Sequence, residues 1–182
     1  QGKGVTISPS FWSEPTVARS FDTFLMRAHK YGIPVIVATN GLLINGLKAQ
    51  LLARYSAAVN VSIDATTSET LQKVRATTRL ERIRDAVFLL LNARGPASTP
   101  RITVSFSLEA ANCHEKDEFL RDWLSYVDAV RVNNVYRGRK LKEHSSSKDL
   151  VITQERTPCR EIYDQMIVDW NGDVRVCCID GK

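Results

Sequence analysis

The sequence predicts an α/β fold built on a parallel sheet, and three observations carry this. Short β-branched apolar runs alternate with amphipathic stretches at helical spacing. The units recur at roughly 25 to 35 residues, the length of a strand–helix crossover. One run, Ile33–Ala38 (IPVIVA), is apolar almost throughout, as strands covered on both faces are.

Taken in order, Gly4–Ser8 (GVTIS) reads as a first short strand. Pro15–Tyr31 places Val17, Phe21, Phe24, Leu25 and Ala28 at helical spacing, and Gly32 stops that helix. Ile33–Ala38 is the second strand, Asn45–Tyr55 a helix, and Ala57–Ile63 (AAVNVSI) the third strand. Ser68–Val74 and Arg79–Ala93 are helical with a short break between them, and Gly95–Pro100 (GPASTP) is a loop. Arg101–Leu108 (RITVSFSL) alternates in period two and reads as the fourth strand. Lys116–Tyr126 is an amphipathic helix and Val127–Val132 a fifth strand. A doubly wound open sheet and a full or partial (β/α) barrel both fit this order. Neither G-x-G-x-x-G nor G-x-x-x-x-G-K-[ST] is present, which argues against the common nucleotide-binding folds.

Beyond Asn134 the character changes. Residues 136–158 are polar, basic and serine-rich, a linker or long loop. Met166–Trp170 and Asp173–Cys177 then flank Asn171-Gly172, a hairpin signal. The expected organisation is a barrel part over 1–135, a linker over 136–158 and a small cysteine-bearing hairpin module over 159–182.

Composition bounds the function classes. With 182 residues, 43% hydrophobic and 25% charged, the chain is an ordinary globular sequence, neither disordered nor collagen-like. The longest apolar run, Ala86–Leu91, is far too short to span a bilayer, so no membrane partner and a cytoplasmic location are expected. The net charge of +5 demands no nucleic acid, and none is expected. The cluster of Arg137, Arg139, Lys140 and Lys142 reads first as a solvated loop and second as a phosphate contact. Gln1-Gly2-Lys3 carries no initiating Met or signal sequence, so the chain is expected to be an internal piece of something longer. Of the four cysteines, Cys159, Cys177 and Cys178 crowd into the tail, which favours metal or cluster ligation over a disulfide frame.

Chemistry in such folds gathers at the carboxyl ends of the strands. Ser8, Ser10, Trp12, Ser13 and Glu14 follow the first strand, and Thr39, Asn40 and Gly41 the second. Ser62, Ile63 and Asp64 end the third, Glu109, Asn112 and Cys113 follow the fourth, and Asn133 and Asn134 close the fifth. Each also has a local reading: Glu14-Pro15 as a helix start, Thr39-Asn40-Gly41 as a turn, Asp64 as a cap, Arg75 as a solvated charge, Cys113-His114 as structural. His29, His114 and His144 are scattered, so no nucleophile–histidine pairing emerges.

In order along the chain, these residues resemble the radical S-adenosylmethionine (radical SAM) enzymes. Trp12-Ser13-Glu14-Pro15 looks like the family's Gly-Glu-Pro motif, and Thr39-Asn40-Gly41 like its next strand-end motif. Val61-Ser62-Ile63-Asp64, followed by Glu69 and Val74-Arg75, looks like the segment ending in a helix arginine. The resemblance covers residues 4–134 and implies strands two to six of a partial (β/α)6 TIM-like barrel. In the tail, Cys159, Gly172 and Cys177 match the opening of the SPASM extension, C-x(9–15)-G-x(4)-C, which binds auxiliary iron–sulfur clusters. Thiolates suit such ligation, and a cubane cluster takes about four. A zinc or purely structural role is the alternative, though no C-x-x-C pair is present.

The resemblance implies S-adenosyl-L-methionine and [4Fe-4S] clusters as cofactors. It implies that Glu14 accepts hydrogen bonds from the cofactor's ammonium, that Ser62 and Arg75 hold its carboxylate, and that Asn40 and Asn133 bond the ribose or methionyl group. Cys159, Cys177 and Cys178 would be cluster ligands. It further implies a peptide, protein or small-molecule substrate and an electron donor such as ferredoxin or flavodoxin. There are departures. The C-x-x-x-C-x-x-C motif that holds the catalytic cluster is absent from these residues, and Ser13 replaces the glycine before the glutamate. Cys178 stands where sulfatase-maturing relatives carry an aspartate. The chain alone is therefore expected to be inactive. The rival readings are a non-radical barrel enzyme, for which no strand-end lysine or metal-ligand set is found, and a non-catalytic degenerate barrel acting as a binding or scaffold protein.

Overall fold

A computed structural model describes residues 4–10, 13–134, 161–169 and 171–176. The chain divides into two units, Gln1–Val135 and Tyr136–Lys182.

The first unit holds one parallel sheet of four strands, β1 (Ile36–Thr39), β2 (Ala58–Ser62), β3 (Arg101–Leu108) and β4 (Ala129–Asn134), in the order β1-β2-β3-β4. The helices are α1 (Phe21–Lys30), α2 (Gly46–Tyr55), α3 (Ser68–Arg75), α4 (Leu80–Arg94) and α5 (Lys116–Trp123). Spatial order follows chain order with no reversal. A doubly wound sheet needs a reversal, so this topology is of the barrel type. Successive right-handed crossovers then stack their helices on one face.

The burial pattern agrees. Val37, Val59, Val61, Ile102, Val104 and Phe106 are buried on the helix-covered face, against Leu25, Leu52, Ile83, Val87, Leu90 and Phe119. The other face is small and polar. Thr103 Oγ1 donates to Asn60 Oδ1 at 2.9 Å, Asn60 Nδ2 to Ser105 Oγ at 3.0 Å, and Ser105 Oγ to Ser62 Oγ at 3.3 Å. The expectation that Ile33–Ala38 is covered on both faces is thus corrected: Ile36 is 43% exposed, because it lies on this second face.

Other boundaries move for local reasons. Gly4–Ser8 contributes no strand, only a parallel bridge between Ile7 and Val35. Ile7 spends both backbone groups on Pro34 and Ile36. Pro9 has no N–H to extend the ladder, and the hydroxyl of Ser10 instead accepts the Ala38 N–H at 2.8 Å. The predicted helix over Pro15–Tyr31 breaks into a 3-10 turn, Pro15–Val17, and α1, because Ala18 is extended. Gly32, at φ 65°, closes α1 with Ile33 N bonding Ala28 O and Gly32 N bonding His29 O, a Schellman ending. β4 begins two residues later than predicted, since Val127 N still bonds Trp123 O. Asn45 caps α2 by accepting the Lys48 N–H, and Thr67 caps α3 by accepting the Thr70 N–H. No helix among the described residues is long and apolar enough to cross a membrane.

In the second unit, α6 (Glu161–Asp164) precedes an antiparallel pair, β5 (Ile167–Val168) with β6 (Val174–Arg175). The turn closes from Gly172 N to Asp169 O at 3.0 Å, with Gly172 at φ 89°. It therefore spans more than the Asn171-Gly172 pair expected from the sequence. Arg175 clasps Asp169 across the pair through Nε at 2.8 Å and Nη2 at 2.6 Å. Cys159, Cys177 and Cys178 lie outside the described residues, as does Trp12.

Candidate functional site

A cavity of about 600 Å³ opens at the carboxyl ends of β1, β2 and β3. Asn40, Asp64, Arg75, Thr77, Ser107 and Glu109 supply its polar wall, and Leu42, Val74 and Ile83 part of its apolar wall. Of the residues expected from the sequence, Asn40 and Arg75 line this cavity together. Ser62 lies at the end of β2, in register with Ser105, and Asn133 on β4 pairs with Ser107. Glu14, Ser62 and Asn133 are not part of the cavity wall.

Arg75 ends α3 and reaches back to Asp64. Its Nε donates to Asp64 Oδ2 and its Nη2 is ion-paired with the same oxygen, so the guanidinium is anchored by one carboxylate. Asp64 is 4% exposed and left-handed at φ 65°, a conformation that Asp tolerates better than most residues. Its Oδ1 accepts the Ser107 N–H at 2.6 Å, and its carbonyl accepts Asn112 Nδ2 at 2.9 Å. Asn112 is fully buried and also donates to Ser107 O, while its Oδ1 accepts the Glu109 N–H. The strand-end loops of β2 and β3 thereby lock each other and aim Arg75.

Glu14 gathers donors from its own loop and from the end of β1. Oε1 accepts from Thr16 N at 3.2 Å, Thr16 Oγ1 at 2.6 Å and Thr39 Oγ1 at 2.7 Å, and Oε2 accepts from Asn40 N at 2.6 Å. It caps the Pro15–Val17 turn and ties it to the end of β1. Asn40 Oδ1 accepts the Leu42 N–H, setting the turn. Gly41, at φ 78°, sits in a left-handed conformation that a side chain strains, and a Cβ would press at 3.1 Å on Val61 Cγ1 and 3.2 Å on Ile83 Cγ2.

Sequence reasoning missed Glu115. This residue is 4% exposed, accepts the Thr66 N–H at 2.6 Å through Oε2 and Thr67 Oγ1 at 2.6 Å through Oε1, and so pins the loop that carries Asp64. Burial pushes its carboxyl up, but hydrogen bonds from Thr67, Thr70 and Thr66 outweigh this and hold it below the ordinary 4.5. A lowered folded value means that Glu115 contributes stability in full above 4.5, lost as pH falls through the folded value. Glu115→Gln is therefore expected to flatten the loss of stability in urea titrations below pH 4.5. Exposed Glu69 is shifted the same way by its hydrogen bond and ion pair with Lys73. About 0.5 M salt screens that surface pair and isolates the Glu115 part. A decline as steep in Glu115→Gln as in wild type would overturn the assignment.

No protein-family model matches the sequence, and no curated protein matches it. Solved structures do match, two of them as follows. TYW1 with a lysine-pyruvate adduct bound aligns at a TM-score of 0.57 and 17% identity, over 74% of this chain and 43% of that one. This chain thus spans less than half of that protein's length. A domain of pyruvate-formate lyase-activating enzyme from Bacteroides vulgatus ATCC 8482 aligns at 0.53 and 15% identity, over 79% and 87%. At these identities the likeness speaks for the fold alone: the chain is an α/β fold with a parallel four-stranded sheet, consistent with a partial radical SAM barrel.

Proposed function

We propose that this chain forms barrel strands of a radical SAM enzyme and that its cavity holds the methionyl end of S-adenosyl-L-methionine. The observation that carries this reading is Arg75, oriented by buried Asp64 at the cavity wall on the carboxyl edge of a sheet with that fold. A methionyl group is zwitterionic, and the wall offers both a guanidinium and a carboxylate, so the residues fit it. Arg75 holds the carboxylate, with Ser62 beside it. Asn40 and Asn133 donate to the ribose or methionyl group, and Glu14 keeps Asn40 in place. With a reduced [4Fe-4S] cluster, the bound cofactor supplies a 5′-deoxyadenosyl radical for hydrogen abstraction; the barrel orients it and keeps water out. Cys159, Cys177 and Cys178 serve an auxiliary cluster of SPASM type. The substrate is a peptide or protein, and the electron donor a ferredoxin or flavodoxin.

The test is calorimetric titration of the chain with S-adenosylhomocysteine, a stable analogue. Arg75→Lys is expected to weaken binding about tenfold to a hundredfold, because a lysine lacks the planar fork and loses a charge-assisted bond worth ~1.5–3 kcal/mol. Absence of binding by the wild-type chain would sink the proposal and leave the barrel as a binding or scaffold protein.

A further inference from the structure

We infer that Glu109, not Glu14, is the anionic partner for a ligand's ammonium group in this cavity, so that the site selects ligands ending in an α-amino acid. The inference rests on the proposed cofactor site and names the residue that gives it selectivity. Four carboxylates stand near the strand ends, and three are committed, Glu115 to Thr66 and Thr67. Asp64 spends Oδ1 on Ser107 and Oδ2 on Arg75. Glu14 takes four intramolecular donors; Oε2 retains acceptor capacity, but the residue does not line the cavity.

Glu109 differs on both counts. It lines the same wall as Arg75 and is half-buried. Its backbone is fixed, with its N–H donated to Asn112 Oδ1 at 2.7 Å and its carbonyl accepting from Asn112 N and Cys113 N. Among the described residues its carboxylate makes no hydrogen bond or ion pair, so its acceptors are free on a side chain that rises from a fixed backbone. The charge count points the same way. Arg75 and Asp64 cancel, and Glu109 leaves the wall with one uncompensated negative charge. A half-buried carboxylate without a partner is an unfavourable arrangement that an incoming cation relieves.

The experiment titrates S-adenosylhomocysteine, and the same molecule lacking its α-amino group, into wild type, Glu109→Gln and Glu14→Gln. Circular dichroism checks that each variant is folded. Wild type is expected to prefer the amino-bearing ligand by about tenfold or more, the worth of one charged hydrogen bond. Glu109→Gln is expected to reduce that preference to about twofold or less, leaving one neutral acceptor. Glu14→Gln is expected to lower the melting temperature while keeping the preference. An undiminished preference in Glu109→Gln overturns the inference, as does its selective loss in Glu14→Gln. Equal binding of both ligands by wild type overturns Glu109 and leaves the cofactor site standing, whereas binding of neither overturns both.

Discussion

Phe106→Ala is expected to cost about 3–5 kcal/mol of folding stability, the range for emptying a fully buried aromatic site. Phe106 sits on β3 at 0% exposure, with the Phe119 ring 4.8 Å away between centroids and Trp123 beyond it at 6.4 Å from Phe119. This stack seats α5 on the sheet. Nothing nearby can fill the space of the missing ring, because the neighbouring Val104 and Ile102 are themselves fixed in the strand. A domain is stable by only ~5–15 kcal/mol, so the loss is a large share of the total. At a slope of about 2 kcal/mol per molar urea it moves the midpoint by roughly 2 M. Phe88→Ala makes the contrast: Phe88 is 40% exposed and its loss costs about 1 kcal/mol or less. Equal shifts for the two variants would show that the stack does not hold the helix layer.

The second large effect is expected at Asp64. Asp64→Ala leaves Arg75 without its partner and the Ser107 N–H without its acceptor, and puts alanine at φ 65°. Breaking a buried pair from one side costs about 3–5 kcal/mol. The Arg75 side chain is 31% exposed, so water takes part of the penalty and about 2–4 kcal/mol is expected here. Asp64→Asn keeps the left-handed tolerance and an acceptor for Ser107 but removes the charge, so about half the loss is expected. Urea titration of both variants checks this. A loss under about 0.5 kcal/mol in Asp64→Ala, the level of an ordinary surface change, would refute the bracing role. The same substitution frees the guanidinium to rotate, so the energetic and functional consequences share one cause.

Much of the fold was legible locally. The strand Arg101–Leu108 is read with its observed limits, because strict alternation of Ile102, Val104 and Phe106 encodes one apolar face and Pro100 precedes it. Asn45, Thr67 and Gly32 mark helix ends through their own side chain or its absence, which is chemistry contained within four residues. The apolar run at Ile33–Ala38 misled, since a continuous run gives no phase: which of its residues face the helices is set by pairing with β2. The bridge at Ile7 was equally illegible, because the Ser10 hydroxyl takes the place of a ladder carbonyl.

The candidate site divides the same way. The residue types at the strand ends, Asn40, Ser62, Asp64 and Glu109, with Arg75 at the end of α3, and their order along the chain are written in the sequence itself. Their roles are not. Glu115 meets Thr66 across 49 positions, Asn112 meets the Asp64 carbonyl across 48, and Ser107 meets the Asp64 carboxylate across 43. Periodicity and capping act over one or two turns, so the sequence by itself determined the elements and their strand–helix alternation, while the strand order came from the tertiary structure. Only the parallel pairing of β2 with β3 brings their strand-end loops together. That pairing decided which carboxylate braces, which orients Arg75 and which stays free.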